Sequence, residues 1–286
     1  MASEPHCLVG EGGGLSAMPR TAGRLTEPAA AVGTWRALED ELGAWAEGNR
    51  TADIWWRDDD AQWPTPALQR LLKLSAGTST PLTLAVVPKG AEAALAHMLE
   101  TAPGVTVVQH GYAHVNHAGA HGKKAELATG RPAEDALADL IRGRRRLAHL
   151  FGGRFHAVLA PPWNRIDPHL VAALPGAGIC GLSAFGARRS AEPVAGLTQS
   201  NCHVDIVDWR GSRGFVGEDA ALAALVDHLA RRRRGEVDVV EATGILTHHL
   251  VIDEACWAFL SSLIERTQAH PAARWLAVEE VLWPGQ

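Results

Sequence analysis

The stretch ADIWWRDDDAQWPTPALQRLLKLSAGTSTPLTLAVV, residues 52–87, decides the fold. It opens on an apolar run, Ile54-Trp55-Trp56, of the length and composition of a buried strand. Three aspartates, Asp58, Asp59 and Asp60, end that run, and like charges in a row disfavour both strand and helix. PTPALQRLLKLSA follows, with leucines at helical spacing and a proline in the first turn, where its missing N–H has no intrahelical partner to lose. PLTLAVV is a second apolar run. Strand, helix and strand in this order make a βαβ unit with parallel strands.

The same alternation continues to the C-terminus. AEAALAHMLETA reads as a helix, VTVVQ as a strand running into His110, and PAEDALADLIRGRRRLAHLF as a long helix. RFHAVLAPPW is a strand ending in prolines, HLVAALPGAG a short helix and ICGLSAF a strand. CHVDIVDW and GILTHH are strands, each followed by a helix, and WLAVEEVLW closes the chain. Upstream, Trp35, Leu38, Leu42 and Trp45 lie at helical spacing. About seven strand–helix steps in roughly 250 residues fit an α/β barrel of parallel strands and outer helices better than an open sheet. Residues 33–286 are expected to form a single barrel domain. Residues 1–32, rich in small residues and without periodicity, are expected to be a flexible lead-in.

Of 286 residues 47% are hydrophobic, enough for a sizeable core. The net charge of -5 gives no global basic surface, so nucleic acid is not the expected partner. The runs Arg144–Arg146 and Arg231–Arg234 fall late in predicted helices, where cations suit the helix dipole; an anionic partner is the alternative. No apolar run reaches the ~20 residues that cross a bilayer. Cys7, Cys180, Cys202 and Cys256 are scattered and form no CxxC. The start MASEPHCLVGEGGG lacks the basic and apolar regions of a signal peptide. These features lead to the expectation of a reduced, cytoplasmic protein.

The C-terminal strand ends of a parallel barrel share one face, and that face carries the active site. Asp58, Asp59 and Asp60 follow the first predicted strand, and His110 and His114 the third. Pro161-Pro162-Trp163-Asn164 follow the next, Asp205, Asp208 and Trp209 end CHVDIVDW, and His248 and His249 end GILTHH. The aspartates face a cation or, alternatively, form a solvated turn or helix cap. The spacing of His110 and His114 places two imidazoles on one side of a helical turn, where they can share a metal. Gly111 follows the first histidine, so the zinc-protease pattern HExxH fails at its general base. His117 and His121 continue the spacing, but Gly119 and Gly122 weaken a helix there, which leaves them outside the ligand set. One carboxylate with two histidines leaves a metal position open for water. In APPWN, Pro162 contributes no donor and the Trp163 N–H is free to meet a ligand; a plain strand terminator is the alternative. Asp208-Trp209 is a helix-entry pair or a pocket wall, and His248 and His249 are packed histidines or, in the mouth, a general acid.

Together these groups resemble the NodB-like polysaccharide deacetylases, carbohydrate esterase family four, in five ordered motifs spread over residues 57–249. The Asp-Asp pair lies within RDDDA, and HGYAH matches His-Ser/Thr-x-x-His with Gly111 in the second place. APPW matches part of the Arg-x-Pro motif, DIVDW matches Asp-x-x-Asp-Trp in full, and LTH, ending at His248, matches Leu-x-His. The resemblance implies a distorted (β/α)7 barrel and metal-dependent removal of an N- or O-linked acetyl group from a small-molecule or glycan substrate. It implies that Asp60, His110 and His114 hold one divalent ion, zinc by preference, with cobalt, nickel or iron as alternatives. Asp59 then takes a proton from water, His248 protonates the leaving group, and the Trp163 N–H helps hold the oxyanion. Asp208 and Trp209 act as support and wall, with Asp58 and His249 beside them. Asp58-Asp59 is the alternative register for the pair. The family's third-motif arginine, which orients the base, is replaced by Ala160, and Arg57 and Arg165 are the candidates to substitute. Two other functions stay open: hydrolysis of a non-sugar amide, and non-catalytic glycan or metal binding.

Overall fold

The computed structural model describes residues 33–285, so the expected lead-in over residues 1–32 lies outside the described residues. The chain runs α1 (Trp35–Glu47), β1 (Ala52–Ala61), α2 (Pro66–Thr78), β2 (Leu82–Val86), α3 (Ala93–Glu100) and β3 (Val105–His110). It continues with α4 (Ala133–Phe151), β4 (Phe155–Ala160), α5 (Pro168–Val171), β5 (Gly181–Leu182), β6 (Thr198–Gln199) and β7 (Cys202–Asp205). It ends with α6 (Glu218–Arg234), β8 (Thr243–Thr247), α7 (Glu254–Gln268), β9 (Ala273–Leu276) and α8 (Val278–Leu282). The strands pair in parallel in the order β6-β5-β4-β3-β2-β1-β8-β7. A parallel bridge between Phe185 and Cys202 brings the chain after β5 against β7, so the sheet curls round on itself. Helices surround it, and the whole is a distorted (β/α)7 barrel. Strand β9 pairs with Ala52–Trp55, the first half of β1, while β2 takes its second half.

Strand β1 is the centre of the sheet because its side chains serve two layers. Trp55 points into the barrel with Ala85, Val108, Val158 and Leu246. Trp56 points outward into the layer shared with Leu68, Leu260 and Leu263 of the helices. Both indoles are fully buried and both find acceptors, Asn201 O at 3.2 Å and Thr247 Oγ1 at 2.9 Å. Gly244, opposite Trp55 on β8, makes the inner indole possible: a Cβ there would lie 2.6 Å from Trp55 Nε1. Thr65 caps α2, accepting from the Leu68 N–H, and Pro66 takes the first turn.

The structure differs from the sequence reading in the short strands. The predicted strand ICGLSAF is only two residues long, and Thr198–Gln199 adds a short strand that no apolar run announces. Arg144–Arg146 lie in the second half of α4, late in the helix as the sequence reading has them, and Arg144 and Arg146 donate to the carbonyls of Ala177 and Ala91. Arg231–Arg234 do form the last turn of α6. No helix among the described residues is long and apolar enough to cross a membrane.

Beneath α6 lies a buried polar network. His203 and His228 stack at 3.5 Å between ring centroids. His203 Nδ1 accepts the Gly244 N–H, so its proton sits on Nε2, 3.4 Å from Glu241. His228 Nδ1 lies 2.9 Å from Thr243 Oγ1. His203, His228 and Glu241 are metal-ligand residue types within mutual reach. Yet the His203 Nε2 carries a proton, and lone pairs in the planes of stacked rings run side by side instead of converging. We read the set as structural. Burial, with His203 and the Arg232 guanidinium alongside, pushes the His228 pKa down to about 2. Unfolding restores an ordinary histidine, which takes up a proton below about pH 6.5. The unfolded state then binds more protons than the folded one, and stability falls as pH drops from about 6.5 towards 2. Urea unfolding of wild type beside His228→Leu should show the wild type losing about 1 kcal/mol more than the variant between about pH 7.5 and 5.5. Parallel losses would place a charged His228 in the folded state.

Candidate active site

A cleft of about 740 Å³ opens at the C-terminal ends of the strands, lined by Asp59, Asp60, His110, His114, Trp163, Asp205, Trp209 and His248 among others. Strand alternation alone cannot turn both Asp59 and Asp60 towards it. Register between β1 and β2 shifts between Asp58 and Ala61, and Asp60 adopts φ +76°. This bulge with a left-handed residue re-aims Asp60 into the mouth.

Asp60 Oδ1 lies 3.2 Å from His110 Nε2 and 3.2 Å from His114 Nε2. Two ligands about 2.0–2.1 Å from a shared tetrahedral ion stand about 3.3 Å apart, so the donor atoms are spaced as ligands are. His110 Nδ1 is 2.9 Å from Ala160 O, which places its proton on Nδ1 and frees the Nε2 lone pair. Lone pairs of one carboxylate and two imidazoles converging this closely call for positive charge between them, and the three residues fit a divalent ion. Burial alone would raise the Asp60 pKa, but the imidazoles of His110, His248 and His114 around it hold it well below the usual carboxylate range. The spacing of His110 and His114 is not helical, contrary to the sequence reading: His110 ends β3, and His114 sits in a loop at φ +54°. His117 and His121 are exposed and lie outside the cluster.

That loop is held by a residue the sequence reading missed. Glu126, buried, accepts the backbone N–H groups of Tyr112, Ala113 and His114 at 2.8 to 3.2 Å. Gly111 is required beside it. Its φ is +55°, and a Cβ would meet Glu126 Oε2 at 2.2 Å and Pro162 Cδ at 2.6 Å. Glycine at this position is therefore the fit of this loop to its carboxylate. Glu126 lies 12 residues from His114, inside a segment with no periodic signal.

Arg57, one of the two arginines expected to orient Asp59, does hold it. Its guanidinium is completely buried and grips Asp59 with two bonds, Nε to Oδ1 at 2.9 Å and Nη2 to Oδ2 at 3.1 Å. Nη1 donates to Ser183 O and Oγ, and Nη2 also to Asn164 Oδ1. Burial works against the charge on Arg57, but the Asp59 carboxylate outweighs it and the pKa rises. Arg165 does not share this role: it is exposed and donates to Lys124 O. The sequence reading places Asn164 at the strand ends without a role and misses Ser183, for the importance of both lies in what they accept from Arg57.

Asp58 does not face the cleft. It shares the face of Trp56 and is buried against His249, with Oδ1 2.5 Å from Nδ1, while Oδ2 accepts from the Thr247 hydroxyl and the His249 N–H. Burial would lower the His249 pKa, but the Asp58 charge and hydrogen bond raise it. His248 does face the cleft, its Nε2 3.9 Å from Asp59 Oδ2, with the Trp209 ring edge-on at 4.7 Å. Asp208 caps its own loop, accepting the N–H groups of Arg210, Gly211 and Ser212. Asp205, which the sequence reading left without a role, reaches the cleft and fixes Trp209 by accepting its indole N–H at 2.8 Å. Burial pushes the Asp205 carboxyl pKa up. Trp163 and Asn164 both take positive φ, +56° each, and the Asn164 and Arg165 N–H groups turn back to Pro161 and Pro162.

No family model matches the chain, and no curated protein matches its sequence. Its fold does match solved structures. One is a putative polysaccharide deacetylase from Mycobacterium smegmatis, at 15% identity and TM-score 0.55, covering 81% of this chain and 89% of that one. A second is a CE4 esterase from Streptococcus mutans, at 14% identity and TM-score 0.52, covering 82% and 90%. A third is a mutant of a CE4 family pseudoenzyme with restored enzymatic activity, at 14% and 0.52, covering 81% and 68%. At such identities the likeness is one of fold.

Gly111→Ser should destabilise the protein by about 2–3 kcal/mol, through both the left-handed backbone and the contact with Glu126. Gly119→Ser, with nothing within 4 Å of its Cβ, should leave the urea midpoint unchanged. Equal effects would mean that the Glu126 cradle does not constrain residue 111.

Proposed function

We propose that the chain is a metal-dependent hydrolase of the NodB-like type that removes an acetyl group from an N- or O-acetylated, sugar-containing substrate. The observation that carries this reading is the Arg57–Asp59 pair beside the Asp60, His110 and His114 cluster. A module that only binds a glycan or a metal has no use for a carboxylate held by a buried guanidinium next to an open ligand triad. One similar structure is of a pseudoenzyme mutant, so the fold by itself does not carry activity. In this proposal residues 33–286 are the catalytic domain. A reducing, cytoplasmic setting agrees with the free thiols of Cys180, Cys202 and Cys256.

A divalent ion held by Asp60, His110 and His114 would supply positive charge for the acetyl carbonyl oxygen and acidify a water. Arg57 occupies both Asp59 oxygens in one plane and fixes the carboxylate, whose remaining lone pairs accept the proton of the attacking water. The Trp163 N–H, set by Pro162 and the left-handed turn, is the donor for the developing oxyanion. His248 Nε2, on the opposite wall, hands a proton to the departing nitrogen or oxygen. Asp205 holds Trp209 edge-on against His248, which limits where that imidazole can turn.

Acetate release from N-acetylglucosamine oligomers and acetylated xylose tests the reading, with acetanilide as the non-sugar amide. Asp59→Asn should lower kcat by roughly 10²–10⁴-fold. Arg57→Lys, which keeps the charge but loses the two-bond grip, should lower kcat by roughly 10–100-fold with little change in KM. Full activity in Asp59→Asn would remove it as the base. Acetanilide turnover in place of the sugars would favour the non-sugar alternative.

A further inference from the structure

Cations crowd the mouth of the cleft. Lys124 comes from the loop after β3, Arg165 from the loop after β4, and Arg210 and Arg213 from the loop after β7, and all four line the cleft. All four are exposed. The chain carries net charge -5, and several arginines elsewhere find carboxylates, among them Arg70 with Glu254, Arg188 with Asp238 and Arg233 with Glu41, while others, such as Arg144 and Arg154, find backbone carbonyls. Among the described residues, none of the four rim cations has a carboxylate within 4.0 Å.

The acids nearest to them are engaged elsewhere. Asp208, closest in sequence to Arg210 and Arg213, directs its carboxylate to backbone N–H groups of the loop. Asp59 belongs to Arg57, Asp60 to the two imidazoles, and Asp205 to Trp209. The rim is also shaped. Arg165 is tied to the Lys124 carbonyl at 2.8 Å, and Arg213 sits at φ +59° in the loop that Asp208 caps. Two aromatic side chains, Trp209 and Phe185, 44% and 46% exposed, line the same cleft. Uncompensated positive charge in a concave site concentrates ligands of the opposite sign.

We propose that the substrate carries an anionic group, a phosphate or a carboxylate, next to its acetylated sugar, and that Lys124, Arg165, Arg210 and Arg213 bind that group at the rim. The proposal rests on the deacetylase reading and narrows its substrate class. The acetyl end reaches down to Asp59 and His248, the sugar ring lies against Trp209 or Phe185, and the anion stays at the mouth. Guanidinium groups suit either anion, since both accept paired N–H donors.

Calorimetric titration tests this with three probes: N-acetylglucosamine 1-phosphate, N-acetylmuramic acid and neutral N-acetylglucosamine. At least one anionic probe should bind roughly tenfold or more tighter than the neutral sugar. That advantage should shrink between about 50 and 300 mM salt and vanish in Arg210→Gln/Arg213→Gln, or in Lys124→Gln/Arg165→Gln if the anion lies on that side. A preference for the phosphate probe over the carboxylate probe, or the reverse, identifies the group. Equal affinity for all three probes, binding of none, or an anionic preference that survives both double substitutions would overturn the proposal. Acetate release by the wild type from neutral N-acetylglucosamine with a kcat/KM equal to that from each anionic probe would also overturn it, while leaving the deacetylase reading intact. Urea midpoints of the variants, all at exposed positions, separate loss of binding from loss of fold.

Discussion

The Arg57–Asp59 pair at the centre of the barrel is the constraint on which the rest depends. A guanidinium with no exposure to water is tolerable only when its donors meet acceptors, and here Nε, Nη1 and Nη2 all do. Those acceptors come from three segments: β1 itself, the end of β5 and the loop after β4. Removing one partner of such a pair costs about 3–5 kcal/mol, because the other charge stays buried. Placing Arg57 and Asp59 on the inner face also sets the alternation of β1. Trp55 must then fill the barrel below them, Trp56 and Asp58 must face the helices, and Asp60 can reach the mouth only through a bulge.

Backbone strain gathers around that pair. Asp60, Gly111, His114, Trp163 and Asn164 all take positive φ, and four of the five carry side chains. Each such residue costs of order 1–3 kcal/mol and persists only where its surroundings leave no alternative. Here the surroundings are identifiable. Glu126 ties the backbone of residues 112–114, Pro161 and Pro162 shape the turn at Trp163, and Arg57 holds the Asn164 side chain. Asp60, His114 and Trp163, to which the proposed mechanism gives ligand and donor roles, are among these positions, so under that proposal preorganisation of the site and rigidity of the barrel mouth have the same cause.

Much of this was legible in the sequence, and the reason is positional. Parallel strands put their C-terminal ends on one face, so polar residues at strand ends converge whatever the details of register. The alternation of apolar runs and helical spacing placed Asp59, Asp60, His110, Trp163 and His248 around one cleft. The bulge that sends Asp60 rather than Asp58 to the histidines leaves no compositional trace; three identical residues in a row conceal it. Glu126 was invisible because its partners are backbone N–H groups, which any sequence supplies. The helical reading of His110 and His114 failed because a spacing of four also suits a strand end followed by a loop with left-handed residues. Strands β5 and β6 were misjudged because two-residue pairings need no apolar run.

The proposed function depends on a divalent ion held by the converging lone pairs of Asp60, His110 and His114. Elemental mass spectrometry of the purified protein, wild type beside His114→Ala, tests it most directly. About one zinc, cobalt, nickel or iron ion per chain is expected in the wild type, lost in a variant that still unfolds cooperatively. No bound ion in the wild type, even after exposure to zinc or cobalt, would contradict it.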